Sequence, residues 1–262
     1  MVNKYIKRIY TIAIFLFLYA PIILLIIFSF NKSKSLSSWD GFSLKWYIEL
    51  FNDKHIMKSL YYTLLCAVLS SIIATIIGTF AAFGIFNMKK IQRKIILNLN
   101  NLPLLNPDIV TGISLMLLFA FLSRYKLRLG FLTMLIAHIT FNIPYVILSV
   151  LPKLKQMNKD IYLAAMDLGA TPFYAFKKIV FPEILPGIIT GMLIAFTMSV
   201  DDFVISYFTT GNGVSNLSIT IYSMTRRGIK PTINALSTIL FTVVLSLLLV
   251  VNKRSKSIKD LT

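Results

Sequence analysis

Six stretches of the chain, roughly 9–30, 60–86, 97–122, 130–151, 184–206 and 232–251, are mostly apolar and contain no Lys or Arg. About 20 such residues cross the hydrocarbon core of a bilayer as a helix. Within lipid every backbone N–H and C=O must be paired inside the protein, which leaves helices or closed barrels as the only spanning structures. Runs of this length and apolarity are helical, so the expected fold is an all-α integral membrane bundle of six transmembrane helices. The chain has 262 residues and is 56% hydrophobic, with a mean hydropathy of +0.76. That length matches one bundle, a single domain over 1–262, and leaves little for a separate soluble domain.

The net charge of +17 would point a soluble protein toward nucleic acid, but here the Lys and Arg stand in short strips flanking the apolar runs. They report topology and contact with anionic lipid headgroups instead, and no nucleic-acid partner is expected. With the N-terminus in the cytoplasm the inside segments hold 16 basic residues and the outside loops 11. Both termini are therefore expected inside. Lys4, Lys7 and Arg8 precede the first run as in a signal peptide, yet the run is long and ends without a small-x-small site, which reads as a retained span. Cys66 is the lone cysteine, and His55 and His138 stand far apart, so neither a disulfide framework nor a metal set is expected, and no cofactor motif occurs.

The first outside loop carries Trp39, Trp46 and Tyr47, and "SLKWYIELF" reads as a short amphipathic helix anchored at the headgroup level. The alternative for Trp46 is contact with an incoming ligand or partner. Proline and glycine interrupt the third run at "NLPLLNPDIVTG" and the fourth at "TFNIP". Such breaks survive in lipid only beside protein or a wet cavity, so a packed bundle with an interior is expected. Asn106 reads as a cap, with Pro107 and Asp108 opening the helix that follows.

The longest cytoplasmic connector, 152–183, spells helix, tight turn, helix. "KDIYLAAMDL" forms a helix, Gly169 stops it in the left-handed conformation, and Thr171 with Pro172 starts the next. Phe173, Phe176, Ile179 and Val180 then make an apolar stripe beside Lys177 and Lys178, to be covered by the chain's own bundle or by a partner.

Ala164, Ala165, Gly169 and the "IVFP" at 179–182 resemble the EAA loop of permease subunits of binding-protein-dependent ABC importers. That resemblance implies a type I importer permease bundle whose cytoplasmic coupling helix, 160–182, seats in an ATPase subunit. Ala164, Ala165, Asp167, Gly169, Phe173, Phe176, Ile179 and Pro182 are then the coupling residues. Leu163 stands where the motif has its Glu, and Asp167 is the acid nearby. "NPDIVTGISLMLLF", "AHITFNIPYVILSV", "SVDDFVISYFTTG" and "IYSMTRRGIKPTINALSTIL" resemble the matching blocks of spermidine/putrescine permeases. This implies a bacterial inner membrane, a second permease subunit, two cytoplasmic ATPase subunits and an extracytoplasmic polyamine-binding protein. Hydrolysis would belong to the partner, since no GxxxxGK[ST] sequence occurs here.

Charge leads the same way independently. The six runs hold three acids, Asp108, Asp201 and Asp202, and no cation to pair with them. A carboxylate at the bilayer centre costs about 2.5–3.5 kcal/mol on insertion scales. A cationic cargo would make up the missing charge, and aromatic faces can receive its ammonium and methylene groups. By the rise of a straight helix, Asp108 lies roughly 16 Å and Asp201 roughly 26 Å from the cytoplasmic start of their runs. Other readings remain open at this stage: a capping role for Asp108, a hydrated vestibule for Asp201 and Asp202, a metal or thiamine cargo, or a secondary transporter. An intramembrane aspartyl protease is disfavoured because "NPD" and "VDD" are not its YD and GxGD contexts. The resemblance to polyamine permeases assigns the transport path to Trp46, Asp108, Ser199, Asp201 and Asp202. His138 reads as an interhelical hydrogen-bonding group.

Overall fold

A computed structural model describes residues 4–35, 38–125, 128–211, 213–226 and 230–259. The helices in chain order are α1 (Lys4–Ser29), α2 (Lys45–Asn52), α3 (Lys54–Asn87), α4 (Lys90–Leu105), α5 (Asp108–Leu122) and α6 (Phe131–Gln156). There follow α7 (Lys159–Asp167), α8 (Pro172–Ala175), α9 (Phe181–Asp201), α10 (Val204–Thr209), α11 (Leu217–Arg226) and α12 (Pro231–Lys259). Four helical segments are long and apolar enough to cross a membrane, and a fifth results if the bent pair α4–α5 counts as one span. The last run expected to span, 232–251, lies on α12, whose apolar stretch among the described residues is Pro231–Val243.

Two compact units divide the chain, one from residues 1–57 with 221–262, the other from 58–220. In the first, α1 packs on α12, and α2 also packs on α12. The segment expected as an amphipathic helix is α2. It buries Trp46 and Leu50 while Ile48 and Phe51 stay exposed.

In the second unit α6 packs along α9, and the approach is close because glycine faces α6. A Cβ on Gly187 would stand 2.9 Å from the Ser149 carbonyl oxygen, and one on Gly191 would stand 3.2 Å from the Val146 Cα. Small residues at helix crossings in lipid let backbones approach, and dispersion contacts then hold them. Around this seam Val146, Val150 and Leu154 of α6 pack with Ala82, Ile85 and Phe86 of α3 and with Val180, Ile184 and Ile188 of the α9 region. Near the other end of α6, Ala137 and Phe141 pack with Phe119 of α5 and Ile205 of α10. Helix α6 continues through Pro144 and Pro152.

Three breaks differ from smooth spans. The third run is two helices meeting at 102°, so a straight-rise depth for Asp108 does not apply. Asn106 is not a side-chain cap there; Pro107 occupies the cap position and α5 begins at Asp108. The fifth run ends as a helix at Asp201, because Asp202 adopts an extended backbone (ψ 126°) before α10 begins. Before α9 the helix widens to a π turn over Phe176–Val180, with the Phe181 N–H reaching the Phe176 carbonyl. Pro182 supplies the reason: it lacks the N–H that would close an ordinary turn on residue 178.

The glycine seam is testable. Gly187→Val should force the α6–α9 crossing apart and lower stability by about 1–3 kcal/mol. Thermal unfolding in detergent should fall accordingly, while Gly84→Ala, where a Cβ would meet nothing within 4 Å, should leave it unchanged.

Candidate functional site

Polar groups cluster where α9 breaks. The Asp202 carboxylate accepts from the Ile205 N–H (3.2 Å), the Ser206 N–H (2.7 Å) and the Ser206 hydroxyl (2.8 Å). These are the orphan donors of α10's first turn, so the acid caps that short helix. His138 of α6 brings its Nε2 to 2.9 Å from Ser206 Oγ and 3.5 Å from Asp202 Oδ2. A hydroxyl has one proton, and Ser206 gives its own to Asp202. His138 Nε2 must therefore be the donor, which fixes the tautomer of a neutral ring. Asn216 closes the arrangement: its Nδ2 donates to the Asp202 carbonyl (2.9 Å), while its Oδ1 accepts from the Ile219 N–H at the start of α11.

A second buried group lies further along α6. Asn142, four residues after His138 and on the same helix face, donates its Nδ2 to Ser199 Oγ at 2.7 Å. Ser199 Oγ lies 3.0 Å from Ser70 Oγ of α3. On α3 the same polar stripe continues through Thr63, whose hydroxyl accepts from the Leu217 N–H (2.7 Å), and Ser59, at 2.7 Å from Thr220 Oγ1.

The path residues expected from sequence thus separate into two groups. Ser199 (2% exposed) and Asp202 belong to the buried polar seam of the second unit, tying α3, α6, α9 and α10 together. Asp201, at the last turn of α9, and Asp108, in the first turn of α5, are exposed. The two neighbouring acids part because the backbone turns extended at Asp202. Trp46 sits in the first unit, 2% exposed, with its indole N–H donating to the Asn31 carbonyl at 2.6 Å. Asn31 in turn holds its loop, its side chain bonding the Ser38 carbonyl and the Asp40 N–H. Trp46 is therefore a loop anchor in this conformation. Reading the sequence for charge passed over Ser70, Asn142, Ser206 and Asn216. Only the shared face of His138 and Asn142 and the three- and four-residue spacing along α3 signalled them.

In the 152–183 connector the helix–turn–helix is present. Gly169 has φ +83°, its N–H reaches the Met166 carbonyl, and the Ala170 N–H reaches the Ala165 carbonyl, a Schellman stop. Thr171 Oγ1 accepts from the Tyr174 N–H and Pro172 opens α8. The apolar stripe divides. Phe176 stacks on Phe80 and meets Phe83 edge-on, and Val180 is fully buried, whereas Phe173 is 70% exposed and the neighbouring Leu168 89% exposed. Ala164 and Asp167 are exposed, Ala165 and Ile179 half-buried, and Pro182 exposed; the Leu163 side chain lies outside the described residues. A shallow hollow lined by Ala165, Leu168, Gly169, Ala170, Thr171 and Tyr174 opens on this turn.

Residues 74–255 match the family described as binding-protein-dependent transport system inner membrane component. The chain belongs to that family. This inner membrane component is 38% identical over 251 residues to the spermidine/putrescine transport system permease protein PotC of Escherichia coli K12, covering 96% of this chain and 93% of the relative. It is 41% identical over 234 residues to the putrescine transport system permease protein PotI of the same strain, covering 86% and 82%. A PotC homolog of Mycoplasma pneumoniae is 32% identical over 255 residues, covering 91% and 87%. In fold it is similar to a bacterial ABC transporter involved in the import of the acidic polysaccharide alginate, with TM-score 0.75 and 19% identity over 97% of this chain and 94% of that one. The MetNI methionine ABC transporter is a second fold neighbour, with TM-score 0.61 and 18% identity over 76% and 93%. The permease component is a multi-pass inner membrane transport subunit of the importer class rather than an enzyme, and such components work with a partner permease, an ATPase and a binding protein.

The capping role of Asp202 sets an expectation. Asp202→Ala leaves two backbone donors buried without a partner, at about 1–3 kcal/mol each. Thermal unfolding of the purified subunit should show a loss of roughly 3 kcal/mol. Asp201→Asn, at an exposed position, should unfold like the native chain.

Proposed function

We propose that this chain is the permease half of an ATP-driven polyamine importer, taking spermidine or putrescine through a path it shares with a second permease subunit. The observation that carries the reading is its similarity, over most of its length, to two permeases named for the same cargo class, PotC and PotI. Charge supports it: the apolar runs hold three carboxylates and no Lys or Arg, so a cationic passenger supplies what the bundle lacks. A cargo of oxyanions would meet repulsion instead.

In this reading the chain is one permease domain of six spans with both termini in the cytoplasm. Two cytoplasmic ATPase subunits and an extracytoplasmic polyamine-binding protein complete the complex. The exposed acids, Asp108 and Asp201, meet cargo, while Asp202 and Ser199 hold the helices that present them. Trp46 acts through the loop it anchors. The exposed Leu168, Gly169, Phe173 and Tyr174 form the surface on which the ATPase bears, and Phe176 and Val180 carry that force into the bundle.

Three measurements test this on the reconstituted complex. Labelled spermidine uptake should be inhibited by unlabelled putrescine and spermidine, and indifference to both would remove the polyamine assignment. Asp201→Asn should lower uptake roughly tenfold with the complex still assembled, an effect of about 1.4 kcal/mol on transport. Gly169→Val, which strains a left-handed turn, should uncouple hydrolysis from uptake. Unchanged uptake per ATP in that variant counts against the elbow.

A further inference from the structure

Ile188, Ile184 and Val180 stand four residues apart and are buried together with Val150 and Leu154 of α6. Phe176 is four residues before Val180 and Phe173 seven before it. A continuous α-helix, at about 100° per residue, would turn all five side chains to the bundle. The structure does otherwise. Ala175, five residues before Val180, is fully buried, Phe176 lies against Phe80 and Phe83, and Phe173 and Tyr174 stand exposed.

The π turn over Phe176–Val180 accounts for this arrangement. It takes one residue more than an α turn, so what precedes it is rotated by about 100° relative to α9. The inward place one turn before Val180 passes from Phe176 to Ala175, and Phe173 is carried from the bundle side to the outside. Pro182 keeps the turn wide because it has no N–H for the Lys178 carbonyl. At the other end the left-handed Gly169 and the Thr171 cap fix where α8 begins, so the rotation is not lost in a loose loop. The rings of Phe173 and Tyr174 border the hollow lined by Leu168 and Thr171, and Lys177 and Lys178 are exposed beside them. Such a patch fits a protein cleft that is apolar within and acidic at its rim.

We propose that the π turn is a register device: its extra residue turns Phe173 and Tyr174 out of the bundle as the apolar knob taken up by an ATPase subunit, while Phe176 stays behind on Phe80 and Phe83. The inference rests on the reading above that the elbow bears on an ATPase. It adds the element that decides which side of the elbow the ATPase meets.

Two variants separate register from docking. Pro182→Ala returns the missing N–H and lets the turn close as α, which swings Phe173 inward. Deleting Lys178 as well removes the extra residue, leaves Ala175 four positions before Val180 and turns Phe173 out again. Maleimide labelling of Phe173→Cys reads the register in membranes that hold the full chain without the ATPase, with the native chain, whose lone Cys66 is buried, as background. Labelling should fall roughly fivefold with Pro182→Ala and return to within about twofold of its starting rate when Lys178 is also deleted. In the assembled complex, with Phe173 kept, the ATPase co-eluting with the chain should fall severalfold and recover in the same order. Labelling unchanged by Pro182→Ala, or not restored by the deletion, would overturn the register device. If Pro182→Ala alone does not accumulate, the shortened chain decides: native labelling supports the device, and its loss overturns it. Labelling that moves as expected while the ATPase stays bound throughout would overturn the knob. A native chain that retains no ATPase would overturn the docking reading itself, with labelling still deciding the register.

Discussion

A chain in lipid can interrupt a helix only where another group takes over the freed backbone donors and acceptors, and at the α9–α10 break that group is the Asp202 carboxylate. The rest of the second unit leans on this. With α10 capped, Ile205 is buried against Phe119, Ala137 and Phe141, and Ser206 is held against His138. Through Asn216 the same residue fixes where α11 starts. A charge that looks in sequence like bait for a cation is, in the folded chain, already met by three hydrogen bonds from Ile205 and Ser206, with His138 at 3.5 Å.

The two broken runs therefore have opposite characters. One exposes N–H groups and meets them with an internal acid, which makes a rigid corner. The other ends α4 on carbonyls that receive no backbone donor from the described residues, with the exposed Asp108 opening α5 beyond them. The elbow over 160–182 divides in its own way between inside and outside. There the apolar stripe is shared, with Phe176 and Val180 turned into the bundle and Phe173 left outside beside the exposed Leu168.

Much of this was legible in the residues. Uncharged runs of spanning length predicted helices, and Gly169, Thr171 and Pro172 announced the elbow, because caps and left-handed turns are decided within a few residues. The short helix around Trp46 was legible for the same local reason. The division of the elbow stripe was not, since a period of three and four identifies a face without saying which of its members a distant Phe80 or Phe83 will cover. The buried contacts of Asn142 with Ser70 and Ser199, and of His138 with Asp202, join residues more than fifty positions apart, and no local pattern pairs them.

The sequence by itself determined that the chain is a helical membrane bundle, where its Gly169 turn falls and which acids must find partners, because hydrophobic run length, caps and charge are properties of short segments. Only the tertiary structure decided which acid is satisfied internally and which stands open, that the third run bends through 102°, and that Trp46 is committed to a loop carbonyl. Those outcomes depend on how α3, α6, α9 and α10 pack. Burial and hydrogen-bond partnership arise from side chains meeting across helices, and a linear pattern carries no record of that meeting.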